Sequence, residues 1–482
     1  MEMTLTEEWL PKPGELLQFS PTAATRDAVA RAGTAPAPAT YLQQSHIRRW
    51  AERRDGPNPQ ASELSLVFTV AAPLDRDALR RAFTTFIRRH DTLRSWFDLD
   101  TGADGFTLTR HLLAPEDVEL EIVDSGSYDS GELLRDELVR RFREHADPTT
   151  WPALVCGAVD HGADGFTLVY STDHAFSDGL SLVTAIFELH LLYSSYRDGV
   201  EPPAVPVGSY VEFAVAERET VAAEPPELDR LTELVTRYAP DVRPLPWDLG
   251  LEPGALADSR GTKNDLLDAA GCERFAAVCA AAGGSFSAGL FAAVARTEFD
   301  IAGRTGYLGL NVVGTRYDPA LQFAQGWFIN LLPVAFDVDA GTDFDTAVTR
   351  AKAAQDSVKP LANIPIHAAI ERAAERTGAP VPATTDWPWV SYMDVRSISG
   401  AALTAALPQV SDIHGLGSRS KLDRPGPIWF SREHDRLHVT AMFPDTAAAS
   451  ASAQRYLDRL RSVLRAIADT GEFPAPPPPG RR

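Results

Sequence analysis

Cysteine is nearly absent, with only Cys156, Cys272 and Cys279 in 482 residues. Three are too few for a disulfide framework, and Cys272 and Cys279, seven apart in a helical pattern, read as small core residues. A metal site there would need further ligands within reach. Long apolar runs are missing too. No stretch of eighteen apolar residues occurs, which argues against a transmembrane helix. The acidic start, Met1-Glu-Met-Thr-Leu-Thr-Glu-Glu-Trp9, has no apolar run of the kind a secretory signal needs, so a cytoplasmic protein is expected. Positive charge is in deficit: 46 basic residues against 66 acidic ones give a formal net charge of −20. Such a surface as a whole repels nucleic acid and anionic membrane, and an acidic partner could dock only on a local Arg/Lys patch.

What is present suits a large globular protein. The hydrophobic fraction is 44% and the charged fraction 23%, close to ordinary usage. The length exceeds the size at which one core stops growing, so two lobes are expected. Residues 1–40 read as irregular, broken by Pro11, Pro13, Pro21, Pro36 and Pro38. A strand is predicted over 64–71 and helices over 75–89 and 130–145. Strands 152–159 and 166–170 form a hairpin about the turn Asp160-His-Gly-Ala-Asp-Gly165, and a helix follows at 180–196. The Pro-rich stretch 198–206 is the best internal boundary. It divides a first lobe, 1–205, from a second, 206–472, leaving a Pro-rich tail at 473–482. The second lobe is expected to hold helices near 209–219, 226–238, 270–282, 286–300, 343–358 and 450–468. Its strands are expected near 307–313, 331–338, 388–395, 426–431 and 436–443.

One segment carries chemistry: Asp173-His174-Ala-Phe-Ser-Asp178-Gly179, where a strand hands over to a helix. A side chain at such a strand end projects from a rigid element. Histidine, with an unperturbed pKa of about 6.5, is mostly neutral at pH 7 and able to accept a proton. Asp178 is near enough to hold the loop, and Gly179 permits backbone conformations closed to other residues. On spacing alone, a histidine beside a turn is more often structural.

Other patterns fail on inspection. Ser285-Phe-Ser287-Ala-Gly289 lacks the first glycine of a nucleophile elbow and reads as helix-start chemistry. His434 and His438 flank a hairpin turn and are poor metal ligands. Gly415-Leu-Gly417-Ser lacks the third glycine of a dinucleotide site and reads as a loop. His90 closes a helix, where solvation or capping is expected.

Four segments, in order, resemble the condensation-domain superfamily, which includes chloramphenicol-acetyltransferase-like enzymes, peptide-synthetase condensation domains and polyketide-associated acyltransferases. They are Arg88-Arg-His-Asp-Thr-Leu-Arg-Ser-Trp-Phe97, the 173–179 motif, Gly314-Thr-Arg316, and Gly326-Trp-Phe-Ile-Asn330-Leu-Leu-Pro333. Trp9-x-Pro-x-Pro-Gly14, Tyr41-x-Gln-x-x-His-Ile47, Gly208-Ser-Tyr-Val-Glu-Phe213, Gln325-Gly-Trp-Phe328 and Ala362-Asn-Ile-Pro-Ile366 resemble the mycobacterial polyketide-associated branch that esterifies trehalose-based lipids.

The resemblance implies an α/β (α+β) fold of two chloramphenicol-acetyltransferase-like lobes forming a V with a central tunnel. It implies His174 as catalytic base at the tunnel's middle. Asp178, Gly179, Arg316 and Asp173 would support the site, with Asp178 paired to Arg316 of the second lobe. Trp327 and Asn330 would line the tunnel. The donor would be an acyl thioester on an acyl-carrier protein or CoA. The acceptor would be a hydroxylated small molecule, a trehalose-like glycolipid on the branch likeness, and the product a lipid or polyketide ester of secondary metabolism. No metal, cofactor or serine nucleophile is required. Two departures are visible. Asp173 stands where the superfamily often has a first histidine, and Val334-Ala-Phe follows Pro333 where condensation domains often carry an arginine. The second favours ester over amide formation. A free-standing, amide-forming condensation enzyme of peptide synthesis is the alternative, and an inactive binding member a further one; the retained His174 and Asp178-Gly179 stand against the latter.

Overall fold

The computed structural model describes residues 2–56, 58–102, 105–398 and 405–476. In chain order, the described strands are β1 Glu2–Leu5, β2 Gly14–Pro21, β3 Glu63–Val70, β4 Ser95–Asp100, β5 Thr107–Leu112, β6 Leu120–Tyr128, β7 Leu154–Asp160 and β8 Phe166–Asp173. Then come β9 Ala257–Asp268, β10 Gly306–Gly314, β11 Ile329–Asp337, β12 Trp389–Asp394, β13 Val410–Gly417, β14 Lys421–Leu422, β15 Ile428–Arg432 and β16 Arg436–Pro444. The helices are α1 Ala23–Arg31, α2 Tyr41–Arg53, α3 Arg76–Arg89, α4 Gly131–His145, α5 Gly179–Arg197, α6 Tyr210–Ala222, α7 Pro226–Tyr238, α8 Ala269–Ala281, α9 Phe286–Ala302, α10 Phe344–Val358, α11 Ile366–Thr377 and α12 Ala447–Thr470.

Two compact units result. The first comprises Met1–Ala222, Arg316–Ile329 and Ile398–Ser420; the second comprises Ala223–Thr315, Asn330–Ser397 and Lys421–Arg482. The cut thus falls at 222, not at 205/206, and the first unit reclaims two later segments. The reason is local. Helix α6 is capped by Asp91, whose carboxylate accepts from the Tyr210 and Val211 amides at 3.1 and 3.3 Å, and Tyr210 packs with Leu42, Trp327 and Phe328.

In the first unit, seven strands form one sheet in the order β1-β13-β3-β8-β7-β2-β6. Strands β3 and β8 pair antiparallel, Glu63 opposite Asp173, and both are buried almost throughout. Alternation is accordingly weak in them, and small polar residues are satisfied in pairs, as where Ser65 donates to Ser171 at 2.7 Å. Helices α3 and α5 supply Leu79, Phe83, Phe86, Leu182, Ile186 and Leu189 to the main core on one face. Helix α4 covers the other face with Leu134, Leu138 and Phe142. The first forty residues are not irregular: β1, β2 and α1 lie there. Pro11 and Pro13 precede β2 and Pro21 ends it, so none interrupts its hydrogen bonding. The Gly415-Leu-Gly417 segment is strand β13, not a loop; it pairs with both β1 and β3.

The second unit holds a seven-stranded sheet ordered β11-β10-β12-β15-β16-β9-β14. Helices α8 and α9 are apolar enough together to pass for a membrane span, but they bend by 95° at their junction. Among the described residues no single helix is long and apolar enough to cross a membrane. The chain after α12 is not free at once. Phe473 packs edge-on to Phe344 with ring centroids 5.5 Å apart, and Arg459 donates to the Ala475 carbonyl at 3.0 Å. The rest of the expected tail, 477–482, lies outside the described residues.

Candidate functional site

Strand β8 ends at Asp173, and a single tight turn, His174–Phe176, bridges to α5. Both ends of this bridge are capped. Asp173 Oδ1 accepts from the Ala175 amide at 2.7 Å, and Asp178 Oδ1 accepts from the Ser181 amide at 2.7 Å as the N-cap of α5. The His174 amide donates to the Ser62 carbonyl at 2.7 Å, which anchors the turn to the chain entering β3. The imidazole Nδ1 donates to the Ser177 carbonyl at 2.9 Å. That bond places the ring proton on Nδ1 and leaves the Nε2 lone pair free, with no hydrogen-bond partner among the described residues. Burial, followed by the nearness of His46, holds the His174 pKa below its ordinary value of 6.5.

Asp178 and Arg316 meet. Arg316 Nη2 is 3.1 Å from Asp178 Oδ1 and donates to Ser181 Oγ at 2.7 Å, with both charged side chains buried. Asp178 Oδ2 accepts from the Phe328 amide at 2.9 Å. Arg316 also donates to the carbonyls of Leu321 and Ala324 and lies over the Phe328 ring, 4.2 Å from its centroid. Although expected from the second lobe, Arg316 belongs to the first compact unit, since segment 316–329 packs there.

That segment brings Trp327 onto His174. The ring centroids are 4.0 Å apart at an interplanar angle of 32°. Gly326 makes the approach, with φ at +153° and a would-be Cβ only 2.3 Å from Tyr210 Cδ2. Asn330 has its amide fully engaged. It lies in the second unit and spends its amide on backbone, donating to Ala362 O at 2.9 Å and Ile364 O at 2.6 Å while accepting from the Ile366 amide at 3.1 Å. It organises the Ala362–Ile366 stretch and has no group left for a ligand. The role read for Gly179 needs correction too: nothing lies within 4 Å of a Cβ built there, so no close approach or left-handed backbone requires glycine.

His90 is not a solvated helix end. It is buried, 2.9 Å from Glu188, and its Nδ1 accepts from the Gln325 amide at 3.3 Å, tying α3 and α5 to the Trp327 segment. Ser285, rather than Ser287, caps α9. All three cysteines are buried and unpaired by disulfides. His438 sits 3.7 Å from Glu433, and among the described residues no group of three or more His, Cys, Asp or Glu is placed to hold a metal ion. Sequence reading missed His46 and Gln43 as neighbours of the turn. Their signal was the Tyr41-x-Gln-x-x-His pattern, whose three-residue spacing puts both on one helical face.

The sequence model of the condensation domain matches residues 37–379. The chain belongs to the condensation-domain family. It is 28% identical to the acyltransferase PapA3 of Mycobacterium tuberculosis strain H37Rv over 470 residues, 97% of this chain and 96% of that protein. It is 28% identical over 478 residues to the 2'-acyl-2-O-sulfo-trehalose (hydroxy)phthioceranyltransferase PapA1 of Mycobacterium bovis strain BCG, covering 98% of this chain and 89% of that one. The solved PapA2 acyl transferase superposes with a TM-score of 0.86 at 25% identity, covering 97% of this chain and all of that one. The condensation-domain chain thus has the two-lobed, chloramphenicol-acetyltransferase-like α/β fold, and it is an acyltransferase.

Proposed function

We propose that this acyltransferase moves an acyl group from a thioester to a hydroxyl of a trehalose-type acceptor, with His174 Nε2 as the base. The observation that carries the reading is the Nδ1–Ser177 bond, because it fixes the tautomer in which Nε2 can accept a proton. The lowered pKa keeps the ring neutral at pH 7. In the reaction Nε2 takes the proton of the acceptor hydroxyl as its oxygen attacks the thioester carbonyl carbon. The C–O bond forms, the tetrahedral centre collapses, the C–S bond breaks, and the imidazolium returns the proton to the departing thiolate. Such general-base help is worth on the order of 10²–10⁴ in rate. Trp327 keeps the imidazole plane in place. Asp178 and Arg316 hold the turn and the Trp327 segment to one another and take no proton.

The acceptor class is supported by relatives named for sulfated trehalose, and the donor class, acyl-carrier protein or acyl-CoA, by the chemistry of the motif. A cytoplasmic role in secondary lipid metabolism completes the reading. The test is purified protein with a long-chain acyl-CoA and trehalose, the ester read by mass spectrometry. His174→Ala should lower turnover by at least ~100-fold with an almost unchanged melting temperature. Turnover near wild type would sink the assignment of the base, and transfer to an amine in preference to trehalose would sink the acceptor.

A further inference from the structure

We propose that helix α2 holds the reactive turn from behind through two positioning residues, Gln43 and His46, each the last member of a hydrogen-bond relay that starts at an arginine. This rests on the reading of His174 as the base. The direction of each relay follows from its donors. Arg49 Nε donates to Gln60 Oε1 at 3.0 Å, which orients the Gln60 amide so that its Nε2 donates to His46 Nδ1 at 3.1 Å. His46 Nδ1 therefore carries the lone pair, and Nε2–H donates to Asp173 Oδ1 at 3.1 Å. In the second relay Arg110 Nη2 and the Thr40 amide both donate to Gln43 Oε1, at 3.1 and 3.2 Å. Gln43 Nε2 is thus turned to donate to the Ala175 carbonyl at 2.8 Å.

The two relays close on one residue, on the peptide groups at either side of its Cα. Ala175 follows His174, and its amide is held by Asp173 while its carbonyl is held by Gln43. Gln43, His46, Asp173 and Arg110 are all buried, so each missing bond would leave an unpaired polar group rather than one that water satisfies. His46 also lies edge-on to Trp327, with centroids 5.3 Å apart, and so backs the ring that covers His174. The arrangement accounts for the carboxylate at 173. Asp173 Oδ1 accepts two N–H groups at once, whereas a neutral histidine there has one acceptor nitrogen and cannot serve both Ala175 and His46. Position 173 and position 46 act as a pair.

The test compares His46→Leu and Gln43→Met with His46→Gln, which keeps an N–H donor. Arg218→Met is the control: it removes the bonds from α6 to Ala39 O and Gln44 on the same helix without touching 173–175. The leucine and methionine variants should lose on the order of 10–100-fold in kcat with KM changed by less than about twofold, as a displaced reacting group does. His46→Gln should recover most of that loss. Arg218→Met should lower the melting temperature and leave kcat nearly as it was. Independently of substrate, the His174 Nδ1–H proton should give a slowly exchanging NMR resonance in the wild type that is lost or fast-exchanging in His46→Leu. Wild-type kcat together with an unchanged resonance in both variants would overturn the proposal. An active His174→Ala enzyme would remove the base, and the resonance would still report whether α2 holds the turn.

Discussion

The Asp178–Arg316 pair offers the sharpest energetic test. Asp178→Ala deletes an N-cap, worth about 1 kcal/mol. It also strands the buried Arg316 guanidinium and the Phe328 amide. Removing one partner of a buried ion pair costs about 3–5 kcal/mol, so a total of about 4–6 kcal/mol is expected. Arg316→Ala leaves Asp178 with its two amide donors but removes the guanidinium from Ser181, Leu321 and Ala324 and from the Phe328 ring. A similar loss of about 3–4 kcal/mol follows. The double variant has no stranded charge. Its cost should fall short of the sum by about 2 kcal/mol, inside the ordinary range for contacting residues. Urea unfolding of the four proteins, followed by tryptophan fluorescence, measures the cycle. Both single variants should also lose activity, because the same bonds seat Trp327 on His174. Coupling below about 0.5 kcal/mol would refute the reasoning, since it would mean the two side chains do not sense each other. A stable but inactive Asp178→Asn enzyme would refute the assignment of Asp178 to structure.

Two further outcomes follow from the site. Gly326→Ala should destabilise the protein by about 2 kcal/mol or more, because the new methyl meets Tyr210 at a backbone angle L-residues rarely adopt; an unchanged urea midpoint would show that Tyr210 moves aside freely. With His174 as the proposed base, the pH profile of kcat/KM should be flat from pH 7 upward and fall only below 6.5, because its pKa is lowered. The same shift means the unfolded chain binds this proton first, so stability falls as pH drops from about 6.5 through the folded pKa. An acid limb centred above 6.5 would contradict the partly buried environment of the ring beside His46.

Most elements were legible because their apolar residues recur at the period of the element. Helix α3, with Leu79, Phe83 and Ile87, is of this kind, while the β7–β8 hairpin, buried on both faces, was legible as two apolar runs about a Gly/Asp turn. The elements that escaped hide that period. Helix α2 buries Gln43 and His46 beside Leu42, Ile47 and Trp50, so its inward face reads as mixed. Strand β9 is largely exposed and polar, Asp-Ser-Arg-Gly-Thr-Lys-Asn-Asp, and is held by backbone pairing with β16. At the site, His174, Asp178, Arg316 and Trp327 were legible from motif residues. Asn330 is a different case: its buried amide serves backbone, and spacing cannot tell that from one that faces a ligand. Gln43 and His46 lie some 130 residues before the turn they hold, and only the folded chain pairs them.

Strand β13 has a consequence for how the chain is made. Among the described residues it is the sole neighbour of β1 in the first sheet, and it fills the open side of β3, yet it begins at Val410. Until that stretch leaves the ribosome, the nascent sheet shows an apolar strand with its hydrogen-bonding edge bare, the kind of surface that recruits foreign strands. Pairing Val70 with Val410 closes a very long loop and is expected to come late. A fragment stopped at Ala222 lacks β13, so the first sheet is complete only when the chain extends through Gly417.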